Sequence, residues 1–479
     1  MKPATILFTL NSLPGLAHAS QMSGDAVALV PPWVAYLCLA IFAVAILLVS
    51  LEEFLQLHKS KPMLLGAGAI WGLIGWSAQG AGQARLAEVA VRHSLLQFSE
   101  LMLFLLVVMT YINAMSERQV FSALRSWVAG RRIGYRQLFW ASGLLTFGLS
   151  PFLDNLSTVL LMGAVVMSIG WENRRFLQLA CLNLVVAANA GGAFSPFGDI
   201  TTLMVWQQDI LSSNGRVGFN VFFNLFVPAL ASYLIPAICL HCVLPRGEIG
   251  WQPPSSTSLR RGAKSIIGLF ALTTATAVIM QSLLHLPAVI GMLTGLSYLQ
   301  FFGYYLKRTH PALRGRVARA SQASAHITVE GRHPFDIFLR VARAEWDTLL
   351  FLCGVLLAVG GLGYVGWLSL ASQLLYTQWG PTTANISVGL ASAVLDNIPT
   401  MSAVLTMGPQ MSQGQWLLAT LTTGLGGSLL SIGSAAGVAM MGQSRGAYTF
   451  FSHLQWTPLI ALGYGAGIAT HLWLNAHLF

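Results

Sequence analysis

Two short polar motifs interrupt segments of the chain that are otherwise almost purely apolar. The first is Ser150-Pro-Phe-Leu-Asp-Asn-Leu-Ser-Thr158, and the second, near the other end, is Ser392-Ala-Val-Leu-Asp-Asn-Ile-Pro-Thr400. They share the core Leu-Asp-Asn-Xaa-Xaa-Thr, which places a carboxylate, a carboxamide and a hydroxyl close together. Such groups are costly in hydrocarbon unless they have a partner or a function. The repeated motif therefore predicts a functional site that is built from two similar halves.

Each motif is followed by a second polar interruption, from Asn189 to Asp199 in the first half and from Gly426 to Ser434 in the second. Their side chains offer the hard oxygen ligands that Na⁺ or Li⁺ binds together with backbone carbonyls, and Ser195 and Thr201 add to them. For any single Ser or Thr, a hydrogen bond to its own helix backbone is the competing explanation. The candidate cation- and proton-binding residues are Asp154, Asn155, Thr158, Asn189, Asp199, Thr202, Asp396, Asn397, Thr400, Ser428, Ser431 and Ser434, with the ion at Asp154, Asp199 and Asp396.

The charges in the apolar segments have one sign. Glu100, Asp154, Asp199 and Asp396 are expected at membrane depth, whereas these segments contain no Lys or Arg. Buried carboxylates without a cationic partner must be protonated or must bind a cation that comes and goes. This pattern favours a cation or proton as the substrate, although neutral aspartates would still admit an anion. The competing hypothesis is that each Asp-Asn pair caps a helix at a hairpin tip, a role compatible with ion binding.

Four further residues are candidates for a proton relay or for pH sensing. Glu100 and His93 lie at one end of a predicted span, and Glu345 and Asp347 lie at the inner end of another. Ionisable residues at the ends of spans are also often no more than solvated interfacial groups.

Composition defines the class of protein in which these motifs occur. Of the 479 residues, 55% are hydrophobic and 9% are charged, whereas soluble proteins have about 25% charged residues. The chain is therefore expected to be a multi-pass membrane protein. Its net charge of +10 comes from basic residues clustered between apolar segments, a pattern typical of cytoplasmic loops and not of nucleic-acid binding. The five cysteines lie in apolar stretches and predict no metal or redox site.

The charge pattern also predicts the order of the elements. The expected fold is an all-α polytopic membrane protein with an inverted-topology repeat, two re-entrant helical hairpins and two broken transmembrane helices. An interfacial helix is expected from Gln83 to Ser94. The expected segments are a signal peptide or short N-terminal helix (1–19), a first repeat (33–244) with hairpin 138–169 and broken helix 176–211, a cytoplasmic linker (245–264), and a second repeat (265–477) with basic loop 307–343, hairpin 382–411 and broken helix 416–441.

At Ser150–Thr158, Asn189–Thr202, Leu395–Thr400 and Gly426–Gly437 the chain closely resembles the NhaD-type Na⁺/H⁺ antiporters of the ion-transporter superfamily. The resemblance implies a homodimer in the cell inner membrane, with a scaffold domain and a transport domain in each protomer. It implies exchange of Na⁺ and Li⁺ for H⁺, without a cofactor and without enzymatic activity, in the service of pH homeostasis. The transport residues that it implies are Asp154, Asn155, Asn189, Asp199, Asp396 and Asn397.

Two alternatives remain open from the sequence. Dicarboxylate transporters of the superfamily are similar in architecture, but typically carry Ser-Asn-Thr at their hairpin tips, where this chain has Asp154 and Asp396. That departure favours monovalent cation exchange over the first alternative, a sodium-coupled di- or tricarboxylate or other anion symporter. The second alternative is a membrane-embedded enzyme that uses an aspartyl pair as acid and base.

Overall fold

The computed structural model describes residues 30–55, 57–130, 134–170, 173–247, 259–309, 341–342 and 344–479. The predicted signal peptide lies outside the described residues. So do most of the predicted linker, from 248 to 258, and most of the predicted basic loop, from 310 to 340.

The described chain is almost entirely helical. A two-stranded hairpin, β1 (Leu211–Ser212) and β2 (Gly215–Arg216), is its only sheet, and short turns include a helical turn at Glu52–Leu55 and a 3₁₀ helix at Phe219–Leu225. The helices are α1 (Pro32–Ser50), α2 (Ser60–Gly80), α3 (Ala84–Glu117), α4 (Val120–Ala129), α5 (Tyr135–Leu153), α6 (Asn155–Gly170), α7 (Arg174–Gly192), α8 (Ile200–Gln207), α9 (Phe226–Val243), α10 (Ala263–Ser282), α11 (Ala288–Arg308), α12 (Trp346–Val365), α13 (Trp367–Ser372, continued by a π-helix at Gln373–Gln378), α14 (Pro381–Leu395), α15 (Asn397–Met407), α16 (Gln413–Gly426), α17 (Ala435–Gln443), α18 (Phe450–Leu454) and α19 (Thr457–Leu474).

Several helices are long and apolar enough to cross a bilayer. Among the described residues, five meet this condition by length and composition: α1, α3, α10, α12 and the segment Phe219–Val243. The class predicted from composition, an all-α multi-pass membrane protein, is confirmed.

The predicted interfacial helix at Gln83–Ser94 is not a separate element. The structure has one helix of 34 residues, α3, that covers both this stretch and the following span. The physical reason is visible in the sequence, because no Gly or Pro occurs between Ala84 and Glu117 to interrupt the helix.

Both Leu-Asp-Asn motifs lie at breaks between two helices. Asp154 separates α5 from α6 with φ 59°, and Asp396 separates α14 from α15 with φ 72°. A positive φ is uncommon for residues other than Gly, and Asp and Asn tolerate it better than most. The two aspartates therefore hold the same unusual backbone conformation at corresponding points of the two motifs.

Each motif packs against an interrupted helix in the same way. Ser150 Oγ donates a hydrogen bond to the carbonyl of Ala188 at 2.6 Å, and Ser392 Oγ donates to the carbonyl of Thr423 at 2.9 Å. In the first half, Gly198 lets the interruption approach the motif closely, since a Cβ on Gly198 would lie 2.8 Å from the carbonyl oxygen of Ser150. The interruptions end where α8 begins after Asp199 and where α17 begins after Ser434.

The remaining helices pack against one another and, in part, against these two motif-and-break units. Helix α2 packs along α12 and against α1, α3 packs on α10, α11 and α12, and α9 packs along α19. Helix α12 also contacts α15 directly, so the α2–α12 pair lies next to the second motif.

Candidate functional site

The two motif aspartates cap the helices that follow them. The backbone N–H of Ser157 donates to Asp154 Oδ1 at 2.8 Å, and the N–H of Asn397 donates to Asp396 Oδ1 at 2.7 Å. Capping thus engages one carboxylate oxygen of each residue, and the other oxygen is not required for it.

The motif threonines bond to their own backbone. Thr158 Oγ1 donates to the carbonyl of Asp154 at 2.6 Å, and Thr400 Oγ1 donates to the carbonyl of Asp396 at 2.7 Å. These bonds close the first turn of α6 and of α15 and stabilise the break, which is the local role that the sequence left open for each hydroxyl.

A chain of buried hydrogen bonds joins the first motif to both interruptions. Asn155 Nδ2 donates to Asn189 Oδ1 at 3.1 Å. Asn189 Nδ2 donates in turn to Ser428 Oγ at 2.8 Å and to Ser434 Oγ at 3.0 Å. All four side chains are buried, so the two halves of the chain share one polar interior.

Asp199 forms the complementary link from the first interruption to the second motif. Asn397 Nδ2 donates to the two carboxylate oxygens of Asp199, at 3.2 and 3.3 Å, and the N–H of Thr201 donates to Oδ1 at 3.3 Å. Opposite this carboxylate lies Gly424, where a Cβ would be 3.3 Å from Oδ2. Asp199 is 3% exposed and has carboxamide and amide donors, which can orient a carboxylate without neutralising its charge.

Three hydroxyls near the interruptions have no hydrogen-bond partner among the described residues. They are Thr201 Oγ1, Thr202 Oγ1 and Ser431 Oγ, and each of these residues is 0% exposed. A buried hydroxyl without a partner is unfavourable by about 1–3 kcal/mol, so an ion or a water molecule is the natural partner for such oxygens.

The aspartates open onto one internal space, the first cavity, of about 200 Å³. Apolar side chains of α3, α8 and α12 form much of its wall. Six acids line it: Glu52, Asp154, Asp199, Glu345, Asp347 and Asp396. Among the described residues that line it, Lys59 is the one Lys or Arg.

Lys59 corrects the expectation that both tip aspartates lack a basic partner. Its Nζ lies 3.0 Å from Asp396 Oδ2 and 3.9 Å from Glu52 Oε2. Burial lowers the pKa of Lys59, but the carboxylates of Asp396 and Glu52 raise it, and the net shift is upward. Among the described residues, no Lys, Arg or His forms an ion pair with Asp154, so the expectation was wrong for Asp396 alone.

Lys59 is not among the site residues predicted from the sequence, because it lies in the connection between α1 and α2, outside every apolar segment. Basic residues in such a connection indicate by themselves only the cytoplasmic side of the membrane. The sequence does contain a signal, because this short connection carries charged residues of both signs, Glu52, Glu53 and Lys59, between two apolar segments. Such connections are long enough to fold back into a site.

The candidates for a proton relay or pH sensor fall into two groups. Glu345 and Asp347 line the first cavity, and burial raises the pKa of Glu345 despite a hydrogen bond from Thr348. His93 and Glu100 lie elsewhere, in a second cavity of about 200 Å³ that is also lined by Gln97, Gln207, Gln208, Ser402 and Thr406.

The fold and the site together define a multi-pass helical membrane protein with a buried, predominantly acidic internal site, the construction that secondary transporters use for ions. Residues 21–424 match a family model described as a citrate transporter. Over 93% of this chain and 92% of its own length, the Na⁺/H⁺ antiporter NhaD of Alkalimonas amylolytica is 55% identical. The NhaD of Vibrio cholerae is 52% identical over 99% of this chain and 98% of its own. Sodium/proton antiporter 1 of Arabidopsis thaliana is 28% identical over 88% of this chain and 69% of its own.

The chain belongs to the NhaD-type antiporter family, within the wider family that the citrate transporter model describes. The resemblance drawn from the motifs is thereby confirmed.

Proposed function

We propose that the protein is a secondary transporter that exchanges Na⁺, and Li⁺ in its place, for H⁺ across the cell inner membrane. The observation that carries this proposal is the charge of the first cavity, where six acids face a single ammonium group. A low-dielectric cleft with one sign of charge concentrates ions of the opposite sign. The names of the relatives at 55% and 52% identity support the same exchange.

The coupling between the two ions follows from competition for the same carboxylates. A carboxylate that is held away from water is stabilised when it is neutralised, either by a proton or by a metal cation. Asp154 and Asp199 have no Lys or Arg in ion-pair contact among the described residues, so they are free to accept either one. Binding of one ion then releases the other.

The oxygen ligands for Na⁺ are expected around Asp199. Its carboxylate, the carboxamide of Asn397 and the unpartnered hydroxyl of Thr202 belong to one buried region, and Ser431 offers a second free hydroxyl on the other interruption. Oxygen-only coordination of this kind suits small hard cations. The ions are cargo, and the proposal requires no resident cofactor.

Alternating access is supported by the positions of the two cavities. Both cavities are lined by the same four helices, α3, α8, α12 and α15, and each helix lines the two cavities with different parts of its length. Between them lie apolar side chains with 0% exposure: Leu352, Val355 and Met401. We propose that this layer separates the two access routes and that the second cavity, with His93 and Glu100, is a route for protons on the far side.

The matched contacts of the two motifs support the inverted-topology repeat and the re-entrant hairpins. Ser150 and Ser392 donate matching side-chain hydrogen bonds, and both motif aspartates have a positive φ. The two motifs therefore have the same local structure. A homodimer with separate scaffold and transport domains completes the proposal.

The test is a dye-quench assay on energised inverted membrane vesicles. Collapse of the pH gradient on addition of NaCl or LiCl, but not of choline chloride, is the expected result. The citrate transporter description of the family model makes anion symport the second candidate, so radiolabelled citrate and succinate uptake into proteoliposomes is measured in parallel. Uptake of either acid without a Na⁺-dependent proton flux would contradict the proposal.

A further inference from the structure

The connection between α1 and α2 places a lysine side chain inside the first cavity. Lys59 Nζ has Asp396 Oδ2 at 3.0 Å and Glu52 Oε2 at 3.9 Å, and it lies 5.8 Å from the centre of the Phe351 ring. The Lys59 side chain is 12% exposed and that of Asp396 is 4% exposed. The ammonium group therefore has two carboxylates and an aromatic face around it, in place of most of its water.

The lysine reaches the second motif from a different group of helices. It immediately precedes α2, which packs along α12, and the adjacent Ser60 Oγ donates a hydrogen bond to Asp347 at the start of α12. Asp396, by contrast, belongs to the break between α14 and α15. The Lys59–Asp396 ion pair therefore joins the α2–α12 pair to the tip of the second motif.

The two tips differ in this respect. Within the described part of the chain, Asp154 has no ion-pair partner, although it has the same backbone conformation as Asp396 and also accepts a backbone N–H of the helix that follows it. The ammonium group thus occupies one of two otherwise similar carboxylates. A buried carboxylate left bare is strongly unfavourable, so a cation of the protein next to a cation-binding carboxylate competes with the transported ion.

We propose that Lys59 is an internal counter-cation of the transport site. Its ammonium group neutralises Asp396 when no transported cation is bound, and it leaves Asp396 when Na⁺ binds. The ion pair then holds the second tip to the start of α2 only while the site is empty. This proposal rests on the proposed Na⁺ binding. It adds a reason why the second tip does not move while no transported cation is bound, and therefore why Na⁺ and H⁺ cross the membrane only in exchange for each other.

The competition has a measurable size. If the ammonium group occupies Asp396 for at least about four-fifths of the time in the empty protein, the apparent Na⁺ affinity is reduced at least about fivefold, since only the unoccupied fraction can bind. Removing the ammonium group should lower the half-saturating Na⁺ concentration by that factor. The same change should destabilise the protein without Na⁺, because Asp396 then lacks a cationic partner.

The experiment is thermal unfolding of the purified full-length protein at fixed pH, with NaCl titrated against choline chloride at constant ionic strength. Lys59→Gln removes the charge, Lys59→Arg keeps it, and Lys61→Gln is the matched control, since Lys61 is exposed at the same end of α2. The expected result is a lower unfolding temperature of Lys59→Gln without Na⁺, together with half-maximal stabilisation at a Na⁺ concentration at least about fivefold lower than in the wild type. Lys59→Arg should stay near the wild type, and Lys61→Gln should match it.

A permanent structural tether would behave differently. Lys59→Gln would then lose the same stability with and without Na⁺, at an unchanged half-saturating concentration, and that result overturns the proposal. A higher half-saturating concentration would also overturn it, because Lys59 would then assist Na⁺ binding. A wild-type protein that Na⁺ does not stabilise at any concentration refutes Na⁺ binding itself, and so is distinguishable from a failure at Lys59.

A second variant pair tests whether Lys59 acts through Asp396. In the Asp396→Asn background, Lys59→Gln should cause no further loss of stability in the absence of Na⁺, because the ion pair is already gone. A loss as large as that in the wild-type background would assign the effect to Glu52 or to packing, and would overturn the assignment to Asp396.

Discussion

The Asp199→Asn variant separates ion binding from helix capping most directly. In the structure Asp199 accepts hydrogen bonds from Asn397 and Thr201, and the asparagine oxygen can still accept from one of them. The fold is therefore expected to survive, while the charge is lost. A polar interaction with a charged group contributes about 1.5–3 kcal/mol. If Na⁺ loses one interaction of that size when the charge of Asp199 is removed, its binding weakens by about 10-fold to 150-fold.

The assay is the apparent KM for Na⁺ in dye-quench measurements at pH 7, 8 and 9. If one proton competes with Na⁺, the wild-type KM should fall by up to about tenfold per pH unit below the pKa that controls the competition. Asp199→Asn should raise the KM and flatten this slope. The matched control is Asp209→Asn, the same change at a partly exposed residue that is paired with Arg216 at 2.7 Å, and it should leave both quantities unchanged.

Two results would refute this reasoning. If Asp199→Asn keeps the wild-type KM and slope, Asp199 only orders the interrupted helix. If the wild-type KM is constant between pH 7 and 9 while the maximal rate changes, direct competition is wrong, and the pH dependence belongs to a separate group such as His93 or Glu100.

Three further predictions use the same protein. Asp154→Asn and Asp396→Asn should each abolish Na⁺-dependent proton movement in vesicles while immunoblots show normal amounts of protein; full activity of both would leave capping as their only role. Arg174→Cys and Gln413→Cys should react with an impermeant thiol reagent from the cytoplasmic and the outer side respectively, and reaction from one side alone would contradict an inverted repeat. Because burial raises the pKa of Glu345, the folded state loses stability as pH rises through the range between its usual and its raised value. Glu345→Gln should therefore unfold at a higher temperature than the wild type at pH 8 and at nearly the same temperature at pH 4, and an equal difference at both pH values would refute this.

The helix breaks were predictable because their causes are local. Asp154 and Asp396 each end one helix and begin another, at the place where the polar motif interrupts the apolar pattern. The interruptions before α8 and α17 follow from runs of Gly with Ser, Pro or Asp, which favour irregular backbone. The continuity of α3 differs from the prediction because a change from polar to apolar composition does not end a helix, and α3 contains no residue that breaks one.

The pairing of distant residues was not predictable from the sequence. Nothing in the motifs specifies that Asn397 bonds to Asp199, or that Asn189 bonds to Ser434, since each bond joins the two halves of the chain. Lys59 is a similar case, because its role depends on which tip the α1–α2 connection approaches. Long-range contacts of this kind are set by packing of whole helices and not by local patterns.

The two interruptions have matched contacts but differ in the charge of the residue that ends them. The residue after Ala188 is Asn189, and the residue after Thr423, its counterpart by the matched seryl bonds, is Gly424. Asn189 bonds to Ser434, the cap of α17, and so satisfies that interruption with neutral groups. Gly424 instead faces the Asp199 carboxylate without a side chain, and a Cβ there would lie 3.3 Å from Oδ2. A buried anionic cap is stabilised when a cation neutralises it, whereas the neutral cap already accepts a hydrogen bond from Asn189. The two caps therefore differ in charge: α8 begins at a carboxylate, Asp199, and α17 begins at a hydroxyl, Ser434, that Asn189 already engages.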